Sequence, residues 1–369
     1  LSNVGVFVGV GGSLDDEGTP TNYADDTVVN GTLGFGATVT TLTVVSIKDR
    51  GASALVTTDD VSYLGVALDN FNGDLVGLDS VLAFHAYGVD ALINKVSKGT
   101  AVVGTPAKLD WGGFTNTGMD LSAAKTALNG TSLGPLTSSI DLAVKGGVAL
   151  NVLDGILVAK GDFDIALGQV ENGTGLTTLS AGKADAMVLT LSDVQVFLGV
   201  NGDLDNTTTP LVWSDASVVN GTLGFGATLN ELTLVSIKDL GADKTPTAVS
   251  DDVSYLALAI KDLNLDLIGL EALLEIHGYG VDALLNKAAD ANPATATETK
   301  LNWSGFGTHA AGGYGGLNID AQLTALNGTS LGALTASVDL KVAGGVALFV
   351  LPRACSGSGT VSTRGFSTG

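Results

Sequence analysis

The sequence predicts an all-β fold, built as an elongated tandem-repeat array, and three observations carry that expectation. Near-identical text recurs: Val28 to Ala52 reads VVNGTLGFGATVTTLTVVSIKDRGA and Val218 to Ala242 reads VVNGTLGFGATLNELTLVSIKDLGA, with Val29 matched to Val219 at an offset of 190. Inside each block Leu33, Phe35, Ala37 and Val39, and again Leu223, Phe225, Ala227 and Leu229, alternate with small or polar residues, the signature of a strand with one buried face. Asn-Gly recurs at Asn72, Asn129, Asn172, Asn201, Asn220 and Asn327, and this dipeptide favours the positive φ angles of tight hairpin turns. Phe35 and Phe225 are expected to be buried at equivalent places.

Taken in order, the chain opens inside a copy, because LSNVGVFVGVGGSLDD from Leu1 matches LSDVQVFLGVNGDLDN from Leu191. In the second copy Leu189 and Leu191 share one face, Asp193 intervenes, and Val194, Val196, Leu198 and Val200 continue on the shifted phase. Such a switch predicts a bulge or a corner. Residues 12–26 and 202–217 read as polar loop tips. The next polar loop differs in length, since Asp59-Asp60 matches Asp251-Asp252 at an offset of 192, so Thr245-Pro246 is expected in an exposed loop. VSYLGVALDNFNGDLVGL and VSYLALAIKDLNLDLIGL repeat the phase switch, now around Asp262.

Val89, Leu92, Ile93 and Val96 recur at helical spacing, so GVDALINK reads equally as a short helix or a strand. KLDWGGF at Lys108 and KLNWSGF at Lys300 each place one tryptophan, Trp111 and Trp303, as a buried anchor. Further alternation follows in IDLAVKGGVALNVLDGILVAKGDFDIALGQV. The offset grows to 198 at Leu128 and Leu326. Residues 1–190 are thus a first unit and 191–351 a second, truncated one. From Pro352 the text PRACSGSGTVSTRGFSTG abandons the pattern and is expected to be exposed, irregular chain. These ends suggest an excerpt of a longer array. Two geometries fit: a parallel β-solenoid with corners at the phase switches, or a curled, long-stranded antiparallel sheet with loops at its edges.

Composition narrows function. Acidic residues outnumber basic ones 38 to 17, a net charge of −21 that repels nucleic acid and anionic membranes. The single cysteine, Cys355, can build neither a disulfide framework nor a cysteine zinc site. No apolar run is long enough for a transmembrane helix. The three histidines, His85, His277 and His309, lack metal-ligand spacing, and His85 and His277 read as structural residues beside Tyr87 and Tyr279. No nucleophile elbow is present, and GFGAT and GVGGS lack a following helix to cradle phosphate. No catalytic residue is assigned and no enzyme is expected. The acidic loops are the one feature with chemical potential: Asp15, Asp16, Glu17, Asp203 and Asp205 offer hard oxygen ligands, so calcium is the one cofactor they could take.

The strings VFVGVGGSLDD, GTLGFGA, LVSIKD, KLDWGGF and KGDFDIALGQV resemble the β-strand repeat regions of giant, acidic, secreted or surface-attached bacterial proteins of the adhesin-like and haemagglutinin-like kind. The resemblance covers residues 1 to about 351 and implies a structural or adhesive spacer, located outside the cell or on its surface. Neighbouring repeats would be its partners, with cell-surface or glycan ligands for the loops. Two other readings stand beside it: a calcium- or carbohydrate-binding repeat module, and a lipid-carrying β groove.

Overall fold

The computed structural model describes all residues except 53–54, 116–117, 175, 177–178, 180–181, 208–211, 242–250, 291–298, 310–312 and 351–369. The loop at Thr245-Pro246 and the tail from Pro352, with Cys355, lie outside the described residues. The chain is all-β and forms one large antiparallel sheet. Its long strands are β1 (Ser2–Val10), β2 (Leu33–Asp49), β3 (Val61–Val76), β4 (Leu82–Lys98), β5 (Ile140–Val152), β6 (Leu157–Glu171), β7 (Lys183–Val200), β8 (Leu223–Asp239), β9 (Val253–Ile268), β10 (Leu274–Asp290) and β11 (Leu340–Val350). Their order across the sheet is their order in the chain, with a two-residue strand, Gly315–Gly316, added beside β6. No helix is long and apolar enough to cross a membrane.

The parallel solenoid does not form: consecutive long strands pair antiparallel along the whole sheet, and the phase switches fall inside continuous strands rather than at corners. Residues 77–81 between β3 and β4 and 153–156 between β5 and β6 are short reversals of such a sheet. Matched text takes matched pairing: β2 and β3 run from Gly34↔Val76 to Asp49↔Val61, and β8 and β9 from Gly224↔Ile268 to Asp239↔Val253. By these offsets β1 corresponds to β7, β2 to β8, β3 to β9, β4 to β10 and β5 to β11, a period of six strands. β6 has no counterpart after β11 among the described residues.

The long strands are interrupted in mid-course. Asn70 (φ 49°) and Asp262 (φ 54°) adopt left-handed backbone at matched places, as do Asn3 (φ 51°) and Asp193 (φ 51°). Short polar side chains tolerate this region best. The register slips beside them, between Leu68 and Phe71, between Ile260 and Leu263, and between Lys160 and Asp162. The phase switch read at Asp193 and Asp262 is therefore a bulge. Asn70 N–H donates to Asp90 Oδ1 at 2.8 Å, and Asp262 N–H to Asp282 Oδ1 at 2.9 Å. The second carboxylate oxygen takes the hydroxyl of Ser132 or Ser330, which ties each bulge to the loop following a helix. Burial pushes Asp282 up, but the hydrogen bonds from Ser330 and Asp262 outweigh it and hold the carboxyl below its usual range.

GVDALINK is strand, within β4. Its helix-like spacing arises because both sides of this stretch are partly covered, so apolar residues are admitted on each. The helices are elsewhere: α1 (Ser122–Asn129) and α2 (Asp320–Asn327) lie in the long connections before β5 and β11. Asn129-Gly130 and Asn327-Gly328 thus end helices rather than make hairpin turns. Asn129 Nδ2 donates to Trp111 O at 3.2 Å and Lys125 O at 2.7 Å, closing the helix end onto the tryptophan loop. Asn72-Gly73 is likewise no turn but lies inside β3, where Asn72 Oδ1 accepts the N–H of Gly88 at 3.0 Å.

Those connections lay the core on the sheet. Trp111 and Trp303 are fully buried in one continuous cluster that includes Val45, Leu92 and Leu128 from the first copy and Val235, Leu284 and Leu326 from the second. Each indole N–H donates to a buried asparagine, Trp111 to Asn94 Oδ1 and Trp303 to Asn286 Oδ1, both at 3.0 Å. Asn94 Nδ2 donates to Leu109 O and Thr137 O, and Asn286 Nδ2 to Leu301 O and Thr335 O, so both amides are satisfied. Phe35 and Phe225 occupy equivalent places but are exposed, a correction to the burial expected of them. They lie past the bulges, and the core cluster does not reach them.

Candidate functional site at the seam between the copies

The acidic candidates sit on two small hairpins. Ser13–Asp15 pairs with Thr27–Val29, and Asp203–Asp205 with Ser217–Val219, so the loops read as tips contain short strands of their own. Asp15 Oδ1 accepts Glu17 N–H at 3.1 Å, Asp16 Oδ1 accepts Gly18 N–H at 3.0 Å, and Glu17 Oε1 accepts the Thr27 hydroxyl at 3.2 Å. Asp203 Oδ1 accepts Leu204 N–H at 2.8 Å, and Asp205 Oδ1 accepts both Thr207 N–H at 2.9 Å and its hydroxyl at 2.7 Å. Those two Thr207 bonds hold Asp205 below the usual carboxylate range. These carboxylates shape their own turns. Among the described residues no three histidine, cysteine, aspartate or glutamate side chains come together as a metal site.

What the structure does bring together is the boundary between the copies, which falls within β7. β7 pairs with β6 from Leu157↔Leu198 to Glu171↔Lys183, and with β8 from Leu223↔Val200 to Lys238↔Asp185. Two segments of the second copy fold back across that boundary. In the first, a single 3-10 turn, Trp213–Asp215, lays the Trp213 ring on the imidazole of His85, with centroids 3.4 Å apart and planes within 12°. His85 Nδ1–H donates to Asp74 at 2.6 Å, so the ring is fixed from one edge and covered on one face.

In the second, Gly315–Gly316 pairs with β6, Leu317 N–H donates to Gln169 O at 2.7 Å, and Gly307 N–H donates to Thr174 O at 2.8 Å. This segment belongs to the six residues by which the second connection exceeds the first, the growth in offset from 192 to 198. Tyr314 anchors it: its hydroxyl donates to Asp320 at 2.9 Å and accepts Ile319 N–H at 2.7 Å, and burial pushes the phenol well above its ordinary value. Between it and the loop before β5 lies a cleft of about 430 Å³, with an apolar floor that includes Ile140, Ala166 and Val188. Two of its polar side chains are already engaged. His309 Nε2 lies 2.8 Å from Gly316 O, and Lys145 donates to Ser132 O at 3.2 Å. Asp164 is raised by burial, against the opposing pull of Lys145. The cleft holds a lysine, an aspartate and a histidine without aligning them as nucleophile, base and orienter.

The same groups recur without their covers. His277 donates to Asp266 at 2.6 Å, yet its side chain is 44% exposed against 10% for His85. Tyr23 stands at the place of Trp213, 190 residues earlier, and is 81% exposed. By sequence His85 and His277 sit beside Tyr87 and Tyr279, and their aspartate partners were missed, although Asp74 and Asp266 match at the same 192 offset as the histidines. Trp213 was missed, since its counterpart is a tyrosine and its target lies more than a hundred residues away.

The hydrogen bond that His277 donates to Asp266 is the main reason its imidazole titrates above its ordinary value, with Glu275 and Glu271 adding to it. A raised histidine contributes stability in full below the unfolded value of about 6.5, and that contribution is lost as pH rises through the folded value. In an NMR titration His277 is expected to show a midpoint above about 6.5, and Asp266→Asn should bring it down. A wild-type midpoint at or below that value contradicts this assignment.

Comparison with protein-family models, with curated proteins and with solved structures finds no match to this chain.

Proposed function

We propose that the chain is a non-catalytic structural or adhesive repeat segment, a spacer or stalk of a large extracellular or cell-surface bacterial protein whose first partners are neighbouring repeats. One observation carries this reading: the hydrogen-bonded ladder passes from the first copy into the second through β6, β7 and β8, with a single bulge and no domain boundary. Each copy therefore extends the sheet of the one before it, as quasi-one-dimensional repeat proteins do. The acid excess keeps such an apolar sheet in solution.

The test is to place a further copy of residues 1–190 ahead of Leu1, a junction that reproduces Thr190-Leu191 as Thr190-Leu1. Six added strands at a spacing of ~4.8 Å should lengthen the particle by roughly 29 Å in electron micrographs, per copy added, before twist. A single cooperative melt should be kept. An added copy that unfolds on its own, or a particle that thickens without lengthening, defeats the reading.

A further inference from the structure

The last strand, β11, has the sequence of an interior strand and the surroundings of an edge. Leu142, Val144, Val148, Leu150 and Val152 of β5 recur as Leu340, Val342, Val346, Leu348 and Val350. In β5, with β6 paired beside it, these side chains are half-buried, whereas in β11 every one is exposed, Val346 by 74%. β5 is covered by β6 and is approached by the Asp203–Asp205 hairpin and the Trp213 turn, and among the described residues β11 has no counterpart of these. Exposed edge strands are templates for pairing, and charge, proline or a covering loop normally blunts them. β11 carries one charge, Lys341, and no proline.

A second feature points to what belongs there. In the first copy the Tyr87 ring lies over Gly147, where a Cβ would come within 2.0 Å of it, and the hydroxyl donates to Asp162 of β6 at 3.1 Å. In the second copy Tyr279 lies over Gly345 in the same way, a Cβ there falling 2.2 Å from the ring and 2.6 Å from the hydroxyl oxygen. Among the described residues that hydroxyl has no hydrogen-bond partner, and Tyr279 is 55% exposed where Tyr87 is 9%. The donor is already in position, and among the described residues no strand beside β11 offers it an acceptor.

We infer that the open edge of β11 is a docking site for an antiparallel strand of the β6 type, carrying an aspartate at the place of Asp162. This rests on the repeat-array reading and names the contact through which one unit takes on the next. The β5–β6 register sets the alignment, with Leu157 opposite Val350, Asp162 opposite Gly345 and Leu167 opposite Leu340. Main-chain hydrogen bonds supply affinity, and the glycine slot with its tyrosine supplies register. One substitution bears on strength: Ala343 stands where Lys145 faces Asp164, with Lys341 two residues away on the same face. β1 offers the other side of such a strand, but only over Ser2–Val10. β11 is the longer acceptor.

The test uses the whole chain and a labelled, end-blocked peptide of residues 157–171, LVAKGDFDIALGQVE, followed by fluorescence anisotropy. Saturable binding at one peptide per chain is expected, with a scrambled peptide inactive. Tyr279→Phe in the protein and Asp162→Ala in the peptide should each weaken binding roughly fivefold, and together no more than either alone, as one shared hydrogen bond requires. Neither change threatens the fold, and dependence on Tyr279 assigns the signal to β11 rather than β1. Equal binding of the scrambled peptide, additive losses, or no saturation at millimolar peptide would overturn the inference. So would a sedimenting dimer that the peptide fails to dissociate, which would seat a second copy of the chain on this edge. A failed peptide with a successful added copy removes only this docking site; failure of the added copy removes the array itself.

Discussion

Trp303→Ala is expected to lower the unfolding free energy by about 3–5 kcal/mol, the usual cost of emptying a large aromatic site in a core. The indole is fully buried, stacks on Phe306 with ring centroids 5.5 Å apart, and is held by Asn286 through its N–H. Nothing nearby can collapse into the space cheaply, because the sheet on one side is fixed by its ladder and α2 on the other is fixed by Asn327, which donates to Trp303 O at 3.3 Å. Urea unfolding followed by circular dichroism measures the loss, and Trp303→Phe should recover part of it by refilling volume without the N–H. A loss below about 1 kcal/mol would mean that the connection is held to the sheet by something other than this ring.

Asn286→Ala is expected to cost nearly as much, roughly 3–5 kcal/mol, for a different reason. The amide is buried and serves three groups at once: it accepts the Trp303 N–H at 3.0 Å and donates to Leu301 O at 2.9 Å and Thr335 O at 3.0 Å. Truncation leaves one donor and two acceptors without partners in a dry interior, and each carries a desolvation penalty of about 1–3 kcal/mol, partly relieved by relaxation. The double variant with Trp303→Ala should lose less than the two singles combined, since the indole N–H is then gone. Additive losses would show that the asparagine and the tryptophan hold the connection separately. Asn94 and Trp111 repeat the arrangement, so the same pair of substitutions in the first copy is an internal control.

The sequence carried most of the sheet and little of what covers it. Alternation at Leu33 to Val39 and the phase switches at Asp193 and Asp262 are local signals, because side-chain direction in a strand has period two and a left-handed residue breaks it. Antiparallel and parallel geometry stayed open, because alternation marks a strand and its faces but not the direction of the strand it pairs with. The helices were missed because SAAKTALN and DAQLTALN are each only eight residues long and the second is poorly amphipathic, while GVDALINK imitates their period in a strand covered on both sides. Asn-Gly misled for a related reason: at Asn129 and Asn327 the side chain bonds its own helix and the tryptophan loop, so the dipeptide marks a helix end. Of the candidate site, the acidic residues were located, but their occupation by neighbouring N–H groups depends on turn geometry that the sequence does not display. The Trp213 stack on His85 depends on a fold-back between distant segments, which no local pattern encodes.

The six-strand period has a consequence for how such a chain can change. Because six is even, corresponding strands run the same way, and every connection of one kind leaves the sheet at the same rim. The hairpins at Ser13–Asp15 and Asp203–Asp205 share one hem of the ribbon with the short reversals at 77–81 and 153–156, while the connections bearing α1 and α2 share the other. The ribbon therefore has two borders of different build, one of small hairpins and short reversals, the other helical and anchored by the buried Trp111 and Trp303. Insertions such as the six residues near Tyr314 alter one border and leave the other in phase. A duplication of five strands or seven would exchange the borders at the junction and set acidic loops where the core must close. Lengthening by whole periods is the one kind of growth that preserves both.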